Sequence, residues 1–157
     1  MENFNQKEQA CLKGIWKFTL TNIHTGKKRV LVYENLIPTC GRAAIANHLT
    51  DPTPTPANLL VNYTALGTGV NAPANSDTQL QTEVFRKATA SETNADNIAY
   101  ITAFYTAAEV SGTFKEAGLF ILGTITPNSG TLLSRVAIDI TKTTSETLSI
   151  DYQISIN

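Results

Sequence analysis

The sequence has little of the charge that nucleic-acid-binding proteins need. Of its 157 residues 16% are charged and the formal net charge is -1, so it has neither a basic face for nucleic acid nor an acidic tail. No apolar run approaches the roughly 18 to 20 residues that span a bilayer, and the polar start MENFNQKEQ does not resemble a signal peptide. We therefore expect a soluble protein made in a cytoplasm, with neither nucleic acid nor a membrane as partner.

Cysteine and histidine are also scarce, with two of each. Cys11 and Cys40 are too few and too far apart for a metal motif. Two reduced thiols fit a cytoplasmic origin better than a single disulfide, which is the alternative. His24 and His48 have no carboxylate or cysteine at ligand spacing. We expect no metal and no cofactor.

The stretch LGTGVNAPANSDTQLQTEV, residues 66–84, raises the question of a phosphate-binding loop. It contains a Gly-x-Gly turn, but the third glycine of a dinucleotide fingerprint is missing and no Gly-Lys-Ser/Thr follows. Both motifs belong to parallel βαβ units, and no long crossover helix is predicted downstream. We interpret Gly67 and Gly69 as turn residues with positive φ.

Other catalytic patterns are missing too. There is no Gly-x-Ser-x-Gly elbow and no His-Glu-x-x-His. Glu109 and Glu116 are candidates for an acid–base pair, but a glutamate beside a turn such as 110–112 is usually solvated. Arg86 is predicted to lie over a hydrophobic strand or to pair with Glu83 rather than to bind an external anion. The sequence predicts a protein that is not an enzyme.

Apolar residues alternate with polar ones in most of the chain, which is the pattern of half-buried strands. A hairpin is predicted within residues 1–34, with its turn at 24–28, and this hairpin is a candidate docking element. A short helix is predicted over 41–49 with Thr39 as N-cap. A second, over about 76–82, has a weak capping box formed by Ser76 and Gln79. The Pro/Thr run at 51–56 is predicted to be a surface loop rather than a linker.

The second half is predicted to be almost entirely β. Residues 98–106 form an extended segment with both faces covered, in which Tyr100, Phe104 and Tyr105 are core or interface residues. Closely spaced strands with little helix between them indicate an antiparallel β-sandwich or barrel-like module with one or two short helices. We predict a single β-rich domain over residues 1–157.

The last strand alternates strictly between apolar and polar residues. Edge strands normally carry charges that discourage pairing, and residues 148–157 contain only Asp151. The strand is therefore either central in its sheet or covered by another subunit. In the second case its apolar side chains form an interface: Leu148, Ile150, Tyr152, Ile154 and Ile156.

Several stretches, taken in order, resemble small structural proteins of tailed bacteriophages. Such proteins are described as tail-fibre, baseplate or appendage-associated, and some capsid decoration proteins are similar in composition. The stretches span roughly residues 30 to 157: NLIPTCG at 35–41, YTALGTG at 63–69, APA at 72–74, DTQL at 77–80, EVFRK at 83–87, EAGLF at 116–120, LLSRV at 132–136 and ITK at 140–142.

The resemblance implies a non-enzymatic virion component that is made in the host bacterial cytoplasm. It implies assembly into homo-oligomers, commonly trimers, or docking on other virion proteins of the tail or capsid. A tail, fibre or baseplate position is slightly favoured, and a capsid decoration (cement) protein is the alternative. A second alternative is a carbohydrate-binding host-recognition module, in which the loops at 51–56 and 72–76 face a host glycan. The resemblance implies no catalytic, cofactor-binding or metal-binding residue.

Overall fold

The computed structural model describes residues 11–53 and 55–157, and it contains two antiparallel sheets packed face to face. The five-stranded sheet has the order β2-β1-β9-β6-β5, and the four-stranded sheet has the order β4-β3-β7-β8. The predicted antiparallel sandwich is confirmed, and neither sheet closes into a barrel. The elements are β1 (Leu12–Asn22), β2 (Lys28–Glu34), α1 (Thr39–Thr50), a 3-10 turn (Pro56–Leu59), β3 (Val61–Gly67), β4 (Glu83–Ala88), β5 (Ser91–Ala95), β6 (Ile98–Tyr105), β7 (Gly112–Ile121), β8 (Thr131–Lys142) and β9 (Glu146–Ile156).

The alternating residues of β1 and β9 build the centre of the core between the sheets. Trp16 stands opposite Tyr152 across the two strands, and Phe18 stands opposite Ile150. The Trp16 ring centroid lies 5.6 Å from that of Phe18 and 5.1 Å from that of Tyr152. Such cross-strand pairs of large side chains stabilise an antiparallel sheet beyond the burial of their surface.

The last strand, β9, is the central strand of its sheet, with β1 on one side and β6 on the other. Leu148, Ile150, Tyr152 and Ile154 are between 0 and 7% exposed and pack into the core between the sheets. Assigning these four side chains to an interface is therefore wrong. The strand needs no protective charges because strands of the same chain pair with both of its edges. Of the five candidates only Ile156, which is 57% exposed, lies at the surface.

The N-terminal hairpin is built into the five-stranded sheet. β1 pairs with β9 from Leu12 to Asn22, while β2 forms the edge. The turn between them is stabilised by the Asn22 side chain, whose Oδ1 accepts the N–H groups of His24 and Thr25. Gly26 has a φ of +68° in this turn, a conformation that glycine adopts without strain. Residues 1–10 of the predicted hairpin region lie outside the described residues.

The helix predictions need two corrections. α1 is capped by Pro38 rather than by Thr39, and no side-chain hydrogen bond caps it. Residues 76–82 form no helix, so the capping box predicted from Ser76 and Gln79 is wrong. The reason is that the backbone N–H groups at 81 and 82 donate to a carboxylate on β7 instead of to helical carbonyls.

Only one face of β6 is covered, although both were predicted to be. Ile101 and Tyr105 point into the core, whereas Tyr100 is 36% exposed and Phe104 is 45% exposed on the opposite face. The outer face of the four-stranded sheet differs, because Leu80 from the 68–82 loop packs there on a small second apolar cluster. The two sheets therefore present different outer faces.

Candidate functional site

The turn at Gly67 to Gly69 belongs to a loop that binds an anion, and this anion is the side-chain carboxylate of Glu116. Three backbone amides of the 68–82 loop point at the Glu116 carboxylate on β7. The Gly69 and Thr82 N–H groups donate to Oε1 over 3.1 and 2.7 Å, and the Gln81 N–H group donates to Oε2 over 3.0 Å. We call this arrangement the carboxylate cradle. An internal carboxylate takes the place that a phosphate has in a nucleotide-binding loop.

Gly67 and Gly69 are needed for space and not for an unusual backbone conformation. Neither has the positive φ that the sequence suggested, so that prediction is wrong. A Cβ on Gly67 would lie 2.6 Å from Glu116 Oε1, and a Cβ on Gly69 would collide with the same oxygen. The absence of side chains at these two positions lets the loop close over the carboxylate.

Arg135, on β8, supplies the positive charge of the cradle. Its Nε donates to Glu116 Oε2 over 3.0 Å, and its Nη2 lies 2.8 Å from the same oxygen. The Arg135 and Glu116 side chains are 3% and 1% exposed. A pair buried this deeply is favourable only when its remaining polar groups are also satisfied. The loop amides satisfy the glutamate, while Asp77 and the Asn71 carbonyl accept two further guanidinium protons.

Asp77 fastens the middle of the loop to the same guanidinium. Its Oδ2 lies 2.6 Å from Arg135 Nη1 and accepts the Ala74 N–H over 2.7 Å. Partial burial acts to raise the pKa of Asp77, but the Ala74 N–H and Arg135 outweigh burial and hold it below its usual value. The loop is therefore bound to the sheet at two carboxylates that share one arginine.

The two candidate acid–base residues have separate partners in the structure. In the part of the chain that the structure describes, the donors to Glu116 come from the 68–82 loop and from Arg135. Glu109 accepts two hydrogen bonds from Lys87 Nζ, over 2.7 and 2.8 Å, and one from the Thr106 N–H over 2.7 Å. The bond from Lys87 is the main cause that lowers the pKa of Glu109. Each carboxylate thus binds a loop of the protein itself.

Arg86, on the edge strand β4, organises a second loop, residues 122–130. The predicted pairing with Glu83 is confirmed: Nε and Nη2 donate to its two carboxylate oxygens over 2.6 and 2.9 Å. Nη1 donates to the Thr124 carbonyl over 2.9 Å and to Ser129 Oγ over 2.8 Å. The guanidinium carbon also lies 4.6 Å from the centroid of the Phe120 ring. A planar guanidinium can serve a carboxylate, a loop and an aromatic ring at once, which an ammonium cannot.

Lys142, at the end of β8, binds a third loop. Its side chain is buried, and Nζ donates to the carbonyl oxygens of Ala107, Glu109 and Val110 over 3.3, 2.9 and 3.0 Å. Desolvation lowers the pKa of Lys142. Together with Lys87 this residue fixes the 106–111 segment from two sides.

The cysteines form no disulfide in the structure, and Cys40 contacts the 68–82 loop and β8, because its Sγ donates to the carbonyl oxygens of Asp77 and Leu132 over 3.2 and 3.3 Å. Cys11 and Cys40 are free thiols, and burial raises the pKa of Cys40. Across residues 11–53 and 55–157, no three His, Cys, Asp or Glu side chains are grouped so as to hold a metal ion. None of the helices described in those ranges is long and apolar enough to cross a membrane.

A depression of about 320 Å³ lies on the outer face of the five-stranded sheet. Two rows of neighbouring residues run across it. One row carries Val32, Lys17, Asp151 and Thr102, and the other carries Ile15, Gln153 and Tyr100. Two further depressions, of about 530 and 350 Å³, are lined in part by the loops at 51–58 and 71–81. These last two include parts of the loops in which the sequence placed a glycan-binding surface.

Sequence reasoning identified Glu116 and Arg86 but missed Arg135 and Asp77. The signal for Arg135 is its position inside the apolar run of β8, where a charged residue needs a buried partner. No comparable local signal marks the sheet depression, because its residues come from four strands, of which β6 and β9 are distant in sequence from the β1–β2 hairpin.

Comparison of the chain with protein-family models, with curated proteins and with solved structures finds no match in any of the three.

Proposed function

We propose that this chain is a non-enzymatic structural protein of a tailed bacteriophage virion, which self-associates and docks on other particle proteins. A place in the tail, as a fibre- or baseplate-associated component, is favoured over a capsid decoration role. The ordered stretches that resemble such proteins support the assignment to a virion. The buried charged residues bind loops of the protein itself, and this supports a structural role.

The observation that carries the proposal is that buried charges fix surface loops on a rigid sandwich. Arg86 and Glu83 hold the 122–130 loop through the Thr124 carbonyl, the Ser129 hydroxyl and the Asn128 N–H. A loop held in one conformation loses little entropy when a partner binds it, so its surface is preorganised for docking.

The surface next to the 122–130 loop that Arg86 and Glu83 hold is apolar. Val84 on β4 and Ile125 on the loop are 48% and 72% exposed, and with Pro127 they line a depression of about 220 Å³. We call these three residues the loop patch. Apolar side chains at an edge strand are typical of contacts between subunits, because both burial and strand pairing are available there.

Light scattering over a range of concentrations tests self-association. The expected result is a trimer for the wild-type protein and a smaller species for Ile125→Asp, because a buried, unpaired carboxylate opposes assembly. Leu49→Asp is the matched control: Leu49 is 81% exposed on α1, and its substitution should leave the mass unchanged. A monomer at every concentration would contradict self-association.

Labelling of purified particles tests the virion assignment. Antibodies raised against the protein should bind intact particles of the phage that encodes it, at the tail and in few copies. Dense labelling of the capsid surface, together with binding of many copies to empty shells, would favour the decoration role instead. Particles that lack the protein would contradict both positions.

A further inference from the structure

The depression on the five-stranded sheet combines an exposed aromatic ring with polar side chains. Tyr100 is 36% exposed and forms one wall, while Ile15 and Val32 form apolar parts of the lining. Phe104, the other exposed aromatic residue of β6, does not line the depression. Of these two exposed aromatic residues on β6, Tyr100 therefore lies in a depression and Phe104 lies outside it.

The depression also contains polar side chains, and its two charged side chains, Lys17 and Asp151, have opposite charges. Lys17 Nζ lies 3.5 Å from Asp151 Oδ2, and the two side chains are 51% and 43% exposed. Thr102 stands beside Asp151, and Gln153 stands beside Tyr100. Within the described part of the chain, the side chains of Thr102 and Gln153 are not hydrogen-bonded to other protein groups. The depression thus offers an amide, a hydroxyl and half-exposed charges to a ligand.

We propose that this depression binds a neutral saccharide. The ring of Tyr100 stacks against the apolar C–H face of a pyranose, and Gln153, Thr102 and Asp151 hydrogen-bond its hydroxyl groups. An apolar wall with a few fixed polar groups is the usual design of a small-ligand site, and a volume of about 320 Å³ is large enough for such a ligand. Lys17 and Asp151 carry opposite charges, so a ligand of either sign is repelled by one of them. A neutral polyol is repelled by neither.

The sheet fits a sugar better than the loops that the sequence pointed to. The described residues that line the depressions at 51–58 and 71–81 include no phenylalanine, tyrosine or tryptophan. Asp51 is moreover engaged by the Thr53 N–H and by Asn58, and Asp77 is engaged by Arg135. Their carboxylates are already used to shape the loops, while the sheet depression has an aromatic platform.

Saturation-transfer NMR with a panel of neutral disaccharides tests the proposal, with lactose, maltose and diacetylchitobiose as the probes. We expect the wild-type protein to bind at least one of them. Tyr100→Ala should weaken binding about tenfold, since it removes the stacking surface. Tyr100→Phe should retain binding because it keeps the ring. Phe104→Ala is the matched control, because it removes an exposed aromatic residue of the same strand outside the depression, and it should change nothing.

Several outcomes would overturn the proposal. The absence of binding to every disaccharide would do so, as would binding that Tyr100→Ala leaves unchanged. If Tyr100→Ala instead lowers the mass measured by light scattering, the sheet face is a contact between copies of the chain and not a saccharide site. The virion proposal is tested separately by Ile125→Asp and by particle labelling, so the two proposals can fail independently.

Discussion

At the scale of single residues, the chain uses its few buried charges as ligands for its own backbone. The Glu116 carboxylate receives loop amides and one guanidinium, and Lys142 donates to three carbonyl oxygens. Catalytic carboxylates need an oxygen that is free to exchange a proton with a substrate. The donors of the carboxylate cradle occupy both oxygens of Glu116, which suits a structural role.

Removing the charge of Glu116 should destabilise the protein strongly. Glu116→Gln leaves the buried Arg135 with Asp77 as its carboxylate partner among the described residues and brings an amide N–H₂ group among the donors of the loop. We expect a loss of about 3 kcal/mol in the free energy of unfolding, measured by urea denaturation. Glu92→Gln, an exposed change on β5, should stay within about 0.5 kcal/mol of the wild type. A loss below about 1 kcal/mol for Glu116→Gln would contradict the structural role of the cradle.

Two glycines distinguish a need for space from a need for positive φ. Gly26 has a φ of +68° and nothing within 4 Å of an added Cβ, while Gly69 has no positive φ but an added Cβ would collide with Glu116. Asparagine tolerates the left-handed region better than alanine. Gly26→Asn should therefore be less destabilising than Gly26→Ala, whereas Gly69→Asn should be at least as destabilising as Gly69→Ala. Thermal melting of the four variants checks this, and an asparagine preference at position 69 would contradict the steric explanation.

At the scale of elements, the strands of the five-stranded sheet pair in continuous register, whereas the loops depend on side chains from elsewhere in the chain. The 122–130 loop is an example, since Arg86 and Glu83 on β4 bind groups that lie 38 to 45 residues later in the sequence. Its conformation should therefore respond to a change on β4 more than to changes within the loop.

Arg86→Lys should loosen this loop while the sandwich stays folded. Lysine keeps the charge but cannot donate to Glu83 with two nitrogens and reach the loop carbonyl at the same time. We expect hydrogen exchange of the loop amides, including that of Asn128, to become at least about tenfold faster. Arg42→Lys, at an exposed position on α1, is the control and should leave exchange in this loop unchanged. Unchanged exchange in Arg86→Lys would show that Arg86 does not organise the loop.

The contrast between strands and loops explains which features the sequence predicts well. The strands follow from local alternation of apolar and polar residues, so the sandwich was predictable. The cradle was not, because Gly69 and Glu116 are 47 residues apart and only the sheet register brings them together. The predicted helix at 76–82 failed for this reason: its amides at 81 and 82 bind a distant carboxylate. Alternation of apolar and polar residues is the same in a central strand and in a strand at an interface, so it could not predict that β9 lies between β1 and β6.

At the scale of the whole molecule, the two sheets have different outer faces. The 68–82 loop packs on the four-stranded sheet around Leu80, whereas Tyr100 and Phe104 remain exposed on the five-stranded sheet. The exposed face carries the depression to which we assign saccharide binding, and the edge strand β4 carries the loop patch. Ligand binding and self-association are thus proposed for different surfaces, which allows both in one assembly.

The common core of the two sheets makes the stability of the whole molecule sensitive to alkaline pH. Burial raises the pKa of Tyr152 from its usual 10.0 to about 12 and raises that of Tyr105 still further, although hydrogen bonds act in the opposite direction in both cases. The folded state keeps these phenols neutral, whereas the unfolded chain ionises them near the usual value. Their contribution to stability is therefore complete below about pH 10 and is lost as the pH rises through the folded-state values.

Urea denaturation at a series of alkaline pH values should show this loss. For Tyr152 alone the contribution is about 2 to 3 kcal/mol. Tyr152→Phe gives up a hydrogen bond with Asn35, so it should be less stable than the wild type at neutral pH, but its stability should fall less steeply above about pH 10. Tyr100→Phe, which removes a phenol outside the core, serves as the control and should follow the wild-type slope. Equal slopes for Tyr152→Phe and the wild type would mean that Tyr152 ionises in the folded protein as readily as in the unfolded chain, which would contradict its place in the sealed core between the sheets.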